Sequence, residues 1–125
     1  MINLLTGSPA RSHTPATAGI GAAFGAVENL TRHLAIELSP VGVRVVCLRT
    51  AANPDSRTIQ EVTGQIAMTM NITKDQATAS LAASTLPKVC PRTTDTAAAA
   101  VSLASDRARM MTGTVLNASA GVVTD

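Results

Sequence analysis

The stretch "AVENLTRHLAIELSPVGVRVVCL", residues 26–48, runs from an amphipathic segment into a β-branched one. Reading back to Ala18, the apolar positions Ile20, Ala23, Val27, Leu30, Leu34 and Leu38 recur at helical spacing, which predicts a helix with that face on the core. Glu28 and Arg32 stand four apart on the polar side, in the order that favours a surface ion pair. Pro40 and Gly42 end the helix. "VRVVCL" (43–48) predicts a strand apolar enough to be covered on both faces. Upstream, "INLL" (2–5) reads as a short buried strand stopped by "TGSP", and 7–18 as a loop rich in Ser, Thr, Pro and Ala. Met1 runs straight into that strand, an unusual start for a domain. Strand, helix and strand in this order make a βαβ unit, expected to be parallel and right-handed.

Beyond it, "RTAANPD" is a loop and "SRTIQEVTGQIAMTM" a helix with Ile59, Val62, Ile66 and Met70 in register. "NITKDQATASLAAST" predicts another helix, with Thr73 and Gln76 as a capping pair. Pro87 and Pro91 break "LPKVCPRT", the Ala-rich "TDTAAAAVSLASD" is a helix with Thr94 as N-cap, and "TVLNASAG" is a last strand. The expected architecture is three parallel strands with helices on both faces, in one domain over 1–125 with a helical excursion at 53–92.

Composition excludes several function classes. Eight acids and ten bases leave a net charge of +2 with no Lys or Arg block, which argues against a nucleic-acid surface. The apolar runs are too short to span a bilayer, which argues against a membrane partner. Two cysteines, Cys47 and Cys90, make no disulfide framework and fit a reducing, cytoplasmic setting. Phe24 is the only aromatic residue.

Residues 26–48 resemble the helix and sixth strand of short-chain dehydrogenase/reductases, and "TTDTAAAAVSLASDRARMMTGTVLNASAG" resembles that family's last helix and seventh strand. The resemblance implies an α/β fold, a partial Rossmann-type doubly wound parallel sheet, limited to the C-terminal half of such an enzyme. It implies NAD(P)-dependent carbonyl or alcohol chemistry, with NAD or NADP as cofactor. A rival alignment sets "LLTG" and "GIG" on the family's first strand and glycine turn. Eleven residues separate the two, too many for the turn to close over a pyrophosphate. Gly19, Gly21 and Gly25 read instead as allowing close helix packing.

In the family, the first turns of this helix carry Tyr-x-x-x-Lys, both on one face, and the Tyr exchanges a proton with substrate while a Ser on the preceding strand holds the substrate oxygen. Here the Tyr position is Ile20 and the Lys position Phe24, and neither can exchange a proton. The chain has no Tyr at all, and its two lysines, Lys74 and Lys88, lie far away in sequence. The Ser position falls at Thr6, with Ser8 as second candidate. After the sixth strand the family shows Asn and then Pro-Gly lining the cofactor pocket. Those positions are Val46, Thr50 and Ala51, with Asn53 just beyond, and the final Gly-Gly is Ala120-Gly121. The expectation is an oxidoreductase segment impaired on its own, its bare helix start left to apolar packing. The alternative is a non-catalytic scaffold or oligomerisation module of the same descent.

Other candidates have plainer explanations. His33, beside Glu37 on the polar face, fits a solvated surface residue, and nothing marks His13. No cluster has metal-ligand spacing. Cys47 reads as inert core, and only Lys88 and Arg92 lie near Cys90 to lower its pKa. Met68, Met70, Met110 and Met111 read as adaptable packing. The sequons at Asn71 and Asn117 carry no weight in a cytoplasmic protein. The apolar content of the excursion suggests an apolar ligand or a mobile lid. The resemblance assigns the fifth, sixth and seventh strands of the family's sheet, which leaves the first strand here as an unpaired edge. A homo-oligomer, or a complementary subunit pairing with that strand, is therefore expected.

Overall fold

The computed structural model describes residues 1–12 and 17–124. Three strands, β1 (Ile2–Gly7), β2 (Val45–Thr50) and β3 (Thr114–Ala118), form one sheet in the order β1-β2-β3. All are parallel, with Ile2 opposite Val45, Gly7 opposite Thr50 and Val46 opposite Thr114. The helices are α1 (Ala18–Leu38), α2 (Arg57–Met70), α3 (Lys74–Ala83) and α4 (Thr93–Ala104), with short 3-10 turns at Ser8–Ala10, Ser39–Val41 and Asp106–Ala108.

β2 is buried along its whole length. Side chains alternate across a sheet. Val46 and Leu48 meet Leu103 of α4, with Ala99, Ala100, Met111 and Leu116 packed around them. Arg49, from the opposite set, reaches Glu28 of α1. The two helices therefore cover opposite faces, as expected for a doubly wound sheet. α4 is fastened at its far end by Arg44, whose guanidinium donates to the carbonyls of Leu103 at 3.0 Å and Met111 at 3.1 Å. A cation on the last carbonyls of a helix satisfies acceptors that have no partner within it.

Several expectations need correction. The sheet-facing side of α1 is not the Ile20–Leu30 stripe: its buried residues are Glu28, Thr31 and Ala35, while Leu30 is 47% exposed and Ile20 53%. The helix is rolled because Glu28 points inward at Arg49. The Glu28–Arg32 surface pair does not form, and Arg32 donates instead to the Glu28 carbonyl. α4 starts one residue before Thr94, with Arg92 as N-cap, and Asp95 accepts the Arg92 N–H at 2.7 Å. Of the four methionines read as adaptable packing, only Met111 packs on the core, and Met68, Met70 and Met110 are exposed. The Thr73–Gln76 capping box at α3 is present as expected, with bonds of 2.9 and 3.1 Å.

Candidate functional site

The positions singled out by the sequence gather where β1 and β2 end and α1 begins. Extended backbone carries Thr6 and Arg49 to opposite places in the register, so both side chains point toward α1. There the Arg49 guanidinium grips Glu28 in a bidentate pair, Nε to Oε1 at 2.6 Å and an Nη to Oε2 at 2.9 Å, with both side chains at most 5% exposed. Thr6 donates to Glu28 Oε1 at 3.4 Å and accepts from Cys47 Sγ at 3.6 Å. The Thr6 hydroxyl is thus engaged inside the α1 layer, and the residue is 2% exposed. Ser8 lies half-buried in the 3-10 turn, its carbonyl accepting the Arg11 and Ser12 N–H groups.

Across the strand ends stands the start of α1. Ile20 is largely exposed. Phe24, one turn on, lays its ring on the backbone of Gly7: a Cβ at Gly7 would come within 2.8 Å of Phe24 Cε2. Gly21 faces the Pro9 carbonyl, where a Cβ would stand 2.8 Å from the oxygen. Close packing therefore explains Gly21, but Gly19 and Gly25 meet nothing within 4 Å.

The loop after β2 is also committed to internal bonds. Thr50 and Ala51 are buried, and Thr50 Oγ1 donates to the Thr6 carbonyl at 3.4 Å. Asn53 donates to the Pro91 carbonyl and to Thr96 Oγ1, each at 3.2 Å. Next to it, Asp55 accepts the N–H of Thr93 at 3.0 Å and its hydroxyl at 2.6 Å, closing the excursion onto the start of α4. The Thr93 hydroxyl holds the Asp55 carboxyl below its usual range, against a smaller opposing effect of burial. At the same C-terminal edge of the sheet, just past β3, Leu86 N–H bonds to the Ala120 carbonyl and the Leu86 side chain covers Gly121.

The remaining candidates lie apart. Lys74 leans over Gly64 at the α2–α3 junction, and Lys88 Nζ donates to the Ala83 carbonyl at 2.8 Å. His33 is exposed, and His13 lies outside the described residues. Among the described residues no group of His, Cys, Asp and Glu could hold a metal. Cys47 is fully buried, and burial pushes the thiol of Cys90 up, away from the thiolate. An open groove of about 830 Å³ between α2 and α3 is lined by Arg57, Glu61, Met68 and Lys74 among others and includes none of the site positions. No helix among the described residues is long and apolar enough to cross a membrane. What sequence reasoning missed is the inward Glu28–Arg49 pair. Sequence reasoning ended the strand at Leu48 and put Arg49 in the loop, whereas β2 runs on through Thr50 and carries Arg49 inward, where a buried charge requires a partner.

A family model described as enoyl-(acyl carrier protein) reductase matches residues 2–123. No curated protein matches. Among solved structures, the chain is similar to sorbitol-6-phosphate 2-dehydrogenase from Erwinia amylovora, with 23% identity, TM-score 0.89, and coverage of 99% of this chain and 48% of that one. It is similar to a short chain dehydrogenase family protein from Francisella tularensis, with 18% identity, TM-score 0.88 and coverage of 96% and 50%. It is also similar to 3-ketoacyl-(acyl-carrier-protein) reductase from Brucella melitensis, solved with NADH, with 27% identity, TM-score 0.77 and coverage of 97% and 43%. The chain thus spans about half the length of these proteins.

Proposed function

The chain belongs to the short-chain dehydrogenase/reductase family, and on that premise we propose that it is a segment of an NAD(P)-linked oxidoreductase fold that does not reduce a carbonyl on its own. The observation that carries this reading is Phe24 closed onto Gly7, beside an exposed Ile20, where a proton-transfer pair would be needed. With no Tyr in the chain, no phenol can move a proton at the helix start.

NAD or NADP is the cofactor that family membership suggests, and one similar reductase is named as a complex with NADH. The residues aligned with the substrate oxygen and the nicotinamide end are engaged in internal bonds. Thr6 is turned into the Glu28 pair, Thr50 is bonded to the Thr6 carbonyl, and the Asn53 amide is taken by Pro91 and Thr96. Titration with NADH and NADPH, followed by a ketone-reduction assay, tests the reading. Saturable binding without turnover is expected of an impaired oxidoreductase segment. Turnover at ordinary enzymatic rates, on the order of 10 per second, overturns it.

A second reading, a scaffold or oligomerisation module in a cytoplasmic setting, is favoured by the β1 edge. Among the described residues β1 pairs only with β2, its Leu5 is 59% exposed, and Asn3 Oδ1 is buried with no partner. A second copy or a complementary subunit adding a strand there would cover the apolar side chain and bond the free edge. Failure to bind either nucleotide, with the fold intact, favours this reading over the first.

A further inference from the structure

α1 runs unbroken for 21 residues, yet its two parts are held by different means. From Glu28 onward it is fastened to the sheet: Glu28 by the bidentate pair with Arg49, and Thr31 and Ala35 by burial. Before Glu28 the helix reads "AGIGAAFGA", with three glycines in nine residues, no acid in the first turn and no buried residue. An interior glycine weakens a helix about fivefold relative to alanine. Only Gly21 is required by a neighbour, the Pro9 carbonyl, whereas Gly19 and Gly25 face open space. The one large side chain that ties this part down is Phe24, on Gly7.

We propose that α1 works as a two-part helix. Residues 18–26 open and close as a unit over the C-terminal ends of β1 and β2, latched by Phe24 against Gly7. Residues 28–38 stay folded, with the Glu28–Arg49 pair as the fixed point of the hinge. Opening lifts the aromatic ring from Gly7 and uncovers the end of β1. Cooperative local openings of this kind are drawn from segments of low local stability, and 18–26, rich in glycine, without a fully buried residue and resting on the short turn at Ser8–Ala10, is such a segment. The glycines at 19 and 25 lower the helix's hold without serving any contact in the closed form. The motion does not depend on nucleotide binding, so it stands or falls separately from the oxidoreductase reading.

Amide hydrogen exchange on the whole chain tests it. Amides of residues 22–26 are expected to exchange at least about tenfold faster than those of 31–38. Gly25→Ala, which meets no atom within 4 Å, should slow exchange of 22–26 about fivefold, and adding Gly19→Ala should slow it further. Phe24→Ala should speed exchange of 22–26 and leave 31–38 unchanged. Equal protection in the two parts overturns the proposal, as does a Gly25→Ala chain that stays folded with unchanged exchange. Loss of protection from both parts together in a folded Phe24→Ala chain overturns it too. Should that variant fail to fold, the Gly25→Ala comparison decides alone.

Discussion

Arg49 sets the interior chemistry of this molecule. A guanidinium that is 2% exposed is met by Glu28 in two hydrogen bonds. Removing one partner leaves a bare charge in the core, so Arg49→Met is expected to cost about 3–5 kcal/mol. The double variant Glu28→Leu with Arg49→Met should be markedly less destabilised than that, and urea unfolding of the three chains measures the difference. At the helix start the expected effects are smaller and depend on exposure. Ile20→Tyr, at a site more than half exposed, should change stability by no more than about 0.5 kcal/mol and confer no ketone reduction. Gly7→Ala drives a methyl into the Phe24 ring and should cost about 1–3 kcal/mol, as overpacking does. Thermal melts of both variants check the contrast. Phe24 is part of the packing, and Lys in its place would lose the ring's contact with Gly7.

At the scale of elements, local signals were legible and distant ones were not. The Thr73–Gln76 cap of α3 lies within one turn, so sequence spacing alone contained it. The N-cap of α4 was misread by two residues, Thr94 for Arg92, and part of what closes it comes from far away: Asp55, 38 positions before Thr93, takes the Thr93 N–H and hydroxyl. In the same way the period of α1 marked the helix, but its sheet-facing side was displaced by a charge pair spanning 21 residues. The positions matched to the family's catalytic residues came from the resemblance, while their internal bonding depended on neighbours that no spacing rule reveals. Asp55 gives a pH signature. Its carboxyl titrates below the ordinary value when folded, so the folded state favours the charged form. The stability it adds is present above the ordinary carboxylate range, near about pH 4, and is lost as pH falls through the lowered folded value. Asp55→Asn should flatten that part of the stability–pH curve, and an NMR titration of the side chain should show the lowered midpoint.

For the whole molecule, the contrast between the central strand and the β1 edge matters most. β2 is enclosed completely while β1 presents Leu5 and, at its start, Met1 and Ile2 to solvent. Such an edge is a template for another strand. Leu5→Lys is expected to shift the chain toward the monomer in light scattering at micromolar concentration and to leave the melting temperature of the monomer little changed. A wild-type chain that is already monomeric there would remove the edge from consideration as an interface.

Arg44 has a consequence for the order in which the chain assembles. It stands at the entrance to β2, yet its guanidinium completes carbonyls at Leu103 and Met111, more than fifty positions later. The Leu103 carbonyl, near the end of the final helix, therefore gains this donor only once that helix has docked beside the entrance to the central strand. Such a contact belongs to the late side of the folding barrier, and Arg44→Ala should hasten unfolding in stopped-flow experiments while barely touching the refolding rate.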